Sequence, residues 1–489
     1  MNPELYFSTF RNQIIGNQQA YHTPYGLQQM IYADWIASGR LYFPIEKKIM
    51  DEIGPFVGNT HTETSENGKL MTRAYNLAHE NIKRHVNAGP QDVILTTGFG
   101  MTSAVVKFQR ILGLKSCTLI SDTGCLREKT RPVIFISHME HHSNHTSWYE
   151  TVADVVVIEP GKDLLFDLNH LEDALKLYHG KQRLIGSFTA CSNVTGIRTP
   201  VYEIAALMHK YGGRVFIDYA ASAPYEDINM HPDKPEESLD AIYFSPHKFL
   251  GGPGSSGVLI FNSALYNNKV PDQPGGGTVD WTNAWGEYKF IDNIEVREDG
   301  GTPGFLQAMR AALSIDLKNK MGVEMIRKRE EELLGLAFSG LQPIPGLHIL
   351  AENTIDRLGV ISFYLEGVHY NLAVSLLSDR FGIQVRGGCA CAGTYGHYLL
   401  DVSHEKSKQI TDRISNGDLS QKPGWIRLSL HPTMKDEEIH FIADAIGQVG
   451  RNSKEWGLDY MYNKHTNEFI LNKADEGSIN INNWLSLNI

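Results

Sequence analysis

Short apolar runs recur along this chain, and each ends in a knot of polar residues. Val93-Ile94-Leu95 leads into Thr96-Thr97-Gly98-Phe99-Gly100, and Val133-Ile134-Phe135-Ile136 into a cluster of histidines. Val155 to Ile158 leads into Pro160-Gly161, and Leu184 to Phe188 into Ser192-Asn193. Val215-Phe216-Ile217 ends in Asp218, and Ala241-Ile242-Tyr243-Phe244 in Ser245-Pro246-His247-Lys248. Runs that are apolar on both faces predict buried strands of a parallel sheet. Between them lie stretches with helical spacing, over 69–87 (Leu70, Ala74, Leu77, Ala78, Ile82, Val86) and 201–211. The alternation predicts an α/β fold with a mainly parallel sheet and helices on both faces. The polar knots then fall at the carboxyl ends of the strands, where open α/β sheets bind ligands.

Further on, the glycine-rich turn Gly251 to Gly257 leads into another strand, Val258 to Phe261, and Gly275-Gly276-Gly277-Thr278 reads as a loop. Residues 304–340, rich in Ala, Leu, Lys and Glu, read as a long helical region. From about residue 345 the texture changes to a second, smaller α/β domain. The expected division is an arm over 1–31 packed with the small domain, a large domain over 32–315, a small domain over 316–451 and a tail over 452–489. Residues 398–422, polar and poor in apolar groups, read as a surface insertion.

Composition narrows the class. The chain has 489 residues and a formal net charge of -11 with no dense basic run. That argues against nucleic acid and anionic membrane as partners. No stretch of about 18 apolar residues predicts a membrane span, and Met1 to Gln13 lacks the apolar centre of a signal peptide. Five cysteines at irregular spacing do not make a disulfide framework, so a reducing cytoplasm is the expected location.

The chemistry-bearing residues sit in the knots. A strand-end lysine, Lys248, can hold an aldehyde as a Schiff base, and a strand-end carboxylate, Asp218, can keep a pyridine nitrogen protonated. Together they suit pyridoxal phosphate. Gly98-Phe99-Gly100 lies between a strand and a helix, where backbone N–H groups can face a phosphate; a plain tight turn has the same pattern. His138-Met139-Glu140-His141-His142-Ser143-Asn144-His145 fits a metal site, an aromatic lid on a cofactor ring, or a polar loop. Arg386-Gly387-Gly388-Cys389-Ala390-Cys391 places cysteines near an arginine on a glycine-rich loop, which suits a nucleophilic thiolate or small buried residues. Arg427, in Trp425-Ile426-Arg427-Leu428-Ser429, can pair bidentately with a carboxylate or face solvent.

Taken in order, these motifs, with Asn193-x-x-Gly196 and Gly301-Thr302-Pro303, resemble the class V branch of fold-type I pyridoxal-phosphate enzymes. The resemblance is greatest to group II cysteine desulfurases and selenocysteine lyases, over about residues 32–450. It implies a large domain with a mainly parallel, seven-stranded type of sheet and a homodimer with shared active sites. It implies Lys248 as the Schiff-base lysine, Asp218 as the pyridinium partner and His141 as the ring-stacking histidine. Asn193 matches the contact near the phenolic oxygen. Gly98, Phe99, Gly100, Ser245 and His247 match the phosphate cradle, and Thr278 a phosphate contact from the other subunit. Arg427 matches the substrate-carboxylate arginine, with His61, Asn193 and Arg386 around the substrate. Cys391 matches the sulfur-accepting cysteine.

The chain departs from the pattern in places. Asp218-Tyr219-Ala220-Ala221 stands where the family has Asp-Gly-Ala-Gln, and Ser222 is the candidate replacement for the glutamine. Gly100 replaces a threonine. Cys389 and Ala390 replace two histidines, which resembles the aminotransferase-like domain of molybdenum-cofactor sulfurases. The implied activity is removal of sulfur from L-cysteine, giving alanine and a persulfide on Cys391, with a sulfur-acceptor protein as partner. The alternatives are a class V aminotransferase, a β-eliminating cysteine lyase, a molybdenum-cofactor sulfurase-like transfer, and a cofactor-binding regulator without activity. No metal is expected.

Overall fold

A computed structural model describes residues 2–115, 131–180, 183–472 and 481–487. Met1 of the arm and residues 473–480 and 488–489 of the tail lie outside the described residues. The chain divides into two compact units. One comprises Ala37–Asn193 and Ile197–Glu324; the other comprises Met1–Ile36, Val194–Gly196 and Met325–Ile489.

The larger unit is built on a seven-stranded sheet. Its spatial order is Asp92–Thr97, Gly257–Asn262, Ala241–Phe244, Arg214–Asp218, Leu184–Thr189, Val133–Ser137 and Asp154–Ile158. Gly257–Asn262 runs antiparallel to both its neighbours, and the remaining pairings are parallel. Alternate side chains feed two cores, as the pleat requires. Val133, Phe135, Val215, Ile217, Ile242 and Phe244 enter one. Ile134, Ile136, Phe216, Tyr243, Leu259 and Phe261 enter the other. Both faces are covered, which is why the runs carry no polar alternation. The segment read as one helical region over 304–340 is two helices, Phe305–Met321 and Val323–Leu341. Gly322 separates them at φ +74, where an L residue would be strained.

The carboxyl ends of the strands are tied by a buried polar network. Glu140 Oε1 accepts from Ser137 N (3.2 Å), Ser137 Oγ (2.6 Å) and Thr189 N (2.9 Å). Glu140 Oε2 accepts from Asn144 Nδ2 (2.7 Å). Asn144 Oδ1 in turn accepts from Trp148 Nε1, Ser187 Oγ and Tyr243 OH, at 3.0, 2.7 and 2.8 Å. One asparagine thus links the strands ending at Ser137, Thr189 and Phe244. Burial pushes the Glu140 carboxyl up to about 7, against the pull of its donors.

The loop after Phe244 is fixed by backbone contact. Gly39 N donates to His247 O at 2.9 Å, and Gly251 N to Arg40 O at 2.7 Å. A Cβ on Gly39 would overlap the carbonyl of Phe249. The segment Ser38-Gly39-Arg40 therefore lies directly on the turn that bears Lys248.

The smaller unit has a four-stranded antiparallel sheet in the order Leu347–Ile349, Val360–Leu365, Trp425–Ser429, Arg386–Gly388. The N-terminal segment joins it through backbone pairing. Ile31 N donates to Gly382 O, Ala33 N to Gln384 O, and Ser429 N to Ala33 O, at 3.0, 2.9 and 2.8 Å. After the long helix Asp436–Trp456, Tyr460–Asn463 and Glu468–Leu471 form a hairpin.

Replacing Asn144 by leucine keeps the volume and strands several buried partners at once. Each unsatisfied buried group costs about 1–3 kcal/mol, so Asn144→Leu should lower stability by about 2–5 kcal/mol. Urea unfolding followed by tryptophan fluorescence measures it, and a midpoint unchanged from wild type refutes the assignment.

Candidate active site

Within the larger unit, an anion-binding corner forms where the first strand meets its helix. Gly98 turns the chain at φ +52, and the helix Met101–Ile111 starts with no side-chain cap. The dipole of the helix start favours an anion. Ser245 Oγ accepts from Met101 N at 2.8 Å. A Cβ on Gly100 would lie 3.2 Å from Ser245 Oγ and 3.5 Å from His247 Nε2. Glycine at this position, where the resemblance leads one to expect threonine, lets the two side chains close onto the helix start. Phe99, also expected in the cradle, is 77% exposed.

Asp218 and Lys248 are carried by adjacent strands, with Asp218 opposite Tyr243 in the register. Asp218 is buried, and its Oδ1 accepts from Ala220 N at 2.8 Å. Burial raises its carboxyl to about 6, and the positive charge of Lys248 acts the other way. Lys248 ends the short turn Pro246–Lys248 and is half-buried. His247 is pushed down to about 4 by burial and by Lys248, so it is neutral at pH 7.

His141 begins the helix His142–Tyr149, its Nδ1 accepting from Ser143 N at 3.1 Å. Among the described residues no three His, Cys, Asp or Glu side chains converge as metal ligands would. Asn193 is buried just beyond the strand Leu184–Thr189. Ser222 is buried, and its hydroxyl has no hydrogen-bond partner among the described residues. His61 is exposed at φ 61 and adjoins Gly277. The hydroxyl of Thr278 closes its own turn, donating to Gly275 O at 2.6 Å.

Within the smaller unit, Arg386 and Arg427 stand directly opposite on paired strands. Like charges so placed repel. Asp34, from the N-terminal segment Met1–Ile36 of this unit, bridges them: Oδ1 lies 2.7 Å from Arg427 Nη2 and Oδ2 3.0 Å from Arg386 Nε. Arg427 is buried; burial lowers its pKa and Asp34 raises it. Cys391 is exposed and Cys389 half-buried on the loop that follows the strand Arg386–Gly388.

The sequence motifs therefore collect into two sets. Gly98, Gly100, Ser245, His247, Lys248 and Asp218 lie at one end of the large sheet. Arg386, Arg427 and Cys391 lie around one edge of the small one. Asp34 escaped the motif reading although it bonds both arginines. The only signal was a carboxylate in an otherwise apolar run, Ile31 to Ile36. Asn144 and Glu140 were visible as part of a motif, but their partners were not.

The model of the family Aminotransferase class-V matches residues 31–442. A protein of Halalkalibacterium halodurans described as a "Probable cysteine desulfurase" is 29% identical over 373 residues, covering 74% of this chain and 84% of that one. The fold is also that of solved cysteine desulfurases. The apo enzyme of Thermococcus onnurineus superposes with TM-score 0.72 at 20% identity, covering 91% of this chain and 98% of its own. The Escherichia coli enzyme gives 0.70 at 22%, covering 92% and 98%. By the extent of the family match, this chain belongs to the class-V aminotransferase family.

Proposed function

We propose that this protein is a pyridoxal-phosphate-dependent cysteine desulfurase. The observation that carries the reading is the exposed Cys391 on the loop that follows the strand Arg386–Gly388, which pairs with the strand of the buried Arg427. An aminotransferase needs the arginine and has no use for the thiol.

The residues present fit the cofactor. The helix start beside Ser245 and His247 suits its phosphate. Buried Asp218 suits a pyridinium nitrogen, which would draw the carboxyl back to its ionised form. His141 suits the ring face, Asn193 and Ser222 the phenolic edge, and Lys248 the aldehyde. When bound, the cofactor supplies an electron sink for the substrate α-carbon.

The chain's own residues do the rest. Arg427, held by Asp34, binds and orients the substrate carboxylate, a task that the resemblance assigns to it together with Arg386, His61 and Asn193. Lys248 Nζ moves the proton at the α-carbon. Cys391 Sγ attacks the substrate sulfur: the carbon–sulfur bond of cysteine breaks, a sulfur–sulfur bond forms, and the thiol proton is balanced on the methyl group of alanine. The products are alanine and a Cys391 persulfide, from which a sulfur-acceptor protein would draw. We further propose a cytoplasmic homodimer in which Thr278 serves the neighbouring subunit's site. No described helix is long and apolar enough to cross a membrane.

Two measurements test this reading. Cys391→Ser should abolish persulfide formation and sulfide release from cysteine while the protein keeps its yellow cofactor; Cys389→Ser should lose much less. Full turnover in Cys391→Ser, with pyruvate as product, replaces desulfuration by elimination.

The second concerns Asp218 in cofactor-free protein. A carboxyl raised from 3.8 to about 6 contributes fully to stability below its unfolded value and loses that contribution as pH rises through 6. Wild type should therefore lose up to about 3 kcal/mol relative to Asp218→Asn between acid and neutral pH. Urea midpoints of both proteins across that range read the difference; parallel curves contradict the burial of this carboxyl.

A further inference from the structure

The loop that bears Cys389 and Cys391 is held in a costly conformation. Gly388 has φ +108, and two non-glycine residues follow with positive φ, Ala390 at 50 and Cys391 at 57. Left-handed backbone at such residues persists only where the surroundings over-determine it. The strand Arg386–Gly388 supplies part of the restraint through its pairing with Trp425–Ser429. Further restraint comes from the start of the helix Tyr370–Phe381. A Cβ on Gly387 would collide with Asn371 Oδ1 and lie 3.3 Å from the Tyr370 ring; a Cβ on Gly424 would lie 2.6 Å from that ring. Tyr370 and Asn371 thus press directly on the backbone just before the cysteines.

Both side chains are tied at their other ends to a single residue of the C-terminal hairpin. Asn467 Nδ2 donates to Tyr370 OH at 2.7 Å, and Asn371 Nδ2 donates to Asn467 O at 2.6 Å. Asn467 Oδ1 accepts from Tyr462 OH at 2.8 Å, so its amide is used on both sides. Asn467 is buried and sits at φ 60, a conformation that asparagine tolerates better than most residues. His369 strengthens the attachment, its ring 4.4 Å from Tyr370 and 5.1 Å from Phe469. The polar segment 398–422 joins the same structure: Leu419 N donates to Lys464 O at 2.9 Å, and Tyr370 OH to Lys422 O at 3.2 Å. The family match ends at residue 442, so the hairpin lies outside it.

We infer that the C-terminal hairpin is a clamp for the cysteine loop, with Asn467 as its positioning residue acting through Tyr370 and Asn371. The inference deepens the desulfurase reading, since the clamp would set where the Cys391 thiol meets substrate sulfur. Arg427 is held separately by Asp34, so releasing the clamp should alter sulfur transfer more than substrate binding.

The test uses the full chain with its cofactor and two variants. Asn467→Gly keeps the positive φ and removes the amide. Tyr370→Phe keeps the ring and removes the hydroxyl. Half-buried Cys389 reports on loop opening through its alkylation by iodoacetamide without cysteine present, mapped by mass spectrometry. Each variant removes two hydrogen bonds of the clamp, and even one such loss corresponds to about a fivefold change. Each variant should therefore alkylate Cys389 about fivefold faster and lower kcat for sulfide release by about as much, with KM for cysteine nearly unchanged. Unchanged Cys389 alkylation in both variants overturns the clamp whatever the activity. Equal changes in kcat and KM, with loss of cofactor, overturn it in favour of general destabilisation. Faster alkylation in the variants, with no persulfide on wild-type Cys391, upholds the clamp and rejects the desulfurase reading instead.

Discussion

The larger unit depends on keeping a buried carboxylate and a buried amide fully hydrogen-bonded. Glu140 and Asn144 connect strands that do not neighbour one another, reaching from Ser137 and Thr189 across the Asp218 strand to Tyr243. Such a network is cooperative, because each partner left over would be an unsatisfied group in the core. It fixes the ends of the strands rather than their middles. His141, Asn193, Asp218 and Lys248 all hang from those ends. Their relative positions inherit the rigidity of the sheet although every one of them lies in a turn or at its edge.

A different constraint governs the smaller unit. Two arginines face each other on paired strands, and the pairing is tenable because the N-terminal segment brings Asp34 between them. A buried guanidinium without such a partner would be costly to keep charged. Asp34 also leaves the pair with one net positive charge. The segment's backbone hydrogen bonds to Gly382, Gln384 and Ser429 place this carboxylate. Its function is thus electrostatic as well as structural.

Close backbone approach does the remaining positioning. Gly39 allows the arm-proximal segment to lie on the Lys248 turn, and Gly100 lets Ser245 and His247 close on a helix start. At Gly387 the same freedom lets Tyr370 and Asn371 press on the cysteine loop. In each case the missing side chain makes room for a neighbour distant in sequence.

The sequence by itself determined the α/β class, the strands, and most of the residues in the two sets, because those rest on local patterns. An apolar run buried on both faces reads as a strand in any context, and Asp218, Ser245, His247 and Lys248 are legible from their places after such runs. The family resemblance added roles to them. The tertiary structure alone decided Asp34, whose partners lie at positions 386 and 427 and whose meaning comes from a cross-strand repulsion that no local pattern records. It likewise decided the tail. Tyr462, Asn467 and Phe469 carry no motif in the sequence, and only the fold brings Asn467 onto Tyr370, almost a hundred positions earlier in the chain. Gly322 shows the converse: one glycine in a helical pattern is tolerable to periodicity, but its left-handed φ splits the segment in two. Hydrophobic periodicity reports which face of an element is buried; it carries no information on which distant polar group will satisfy a buried charge or amide, and that is settled when the chain closes on itself.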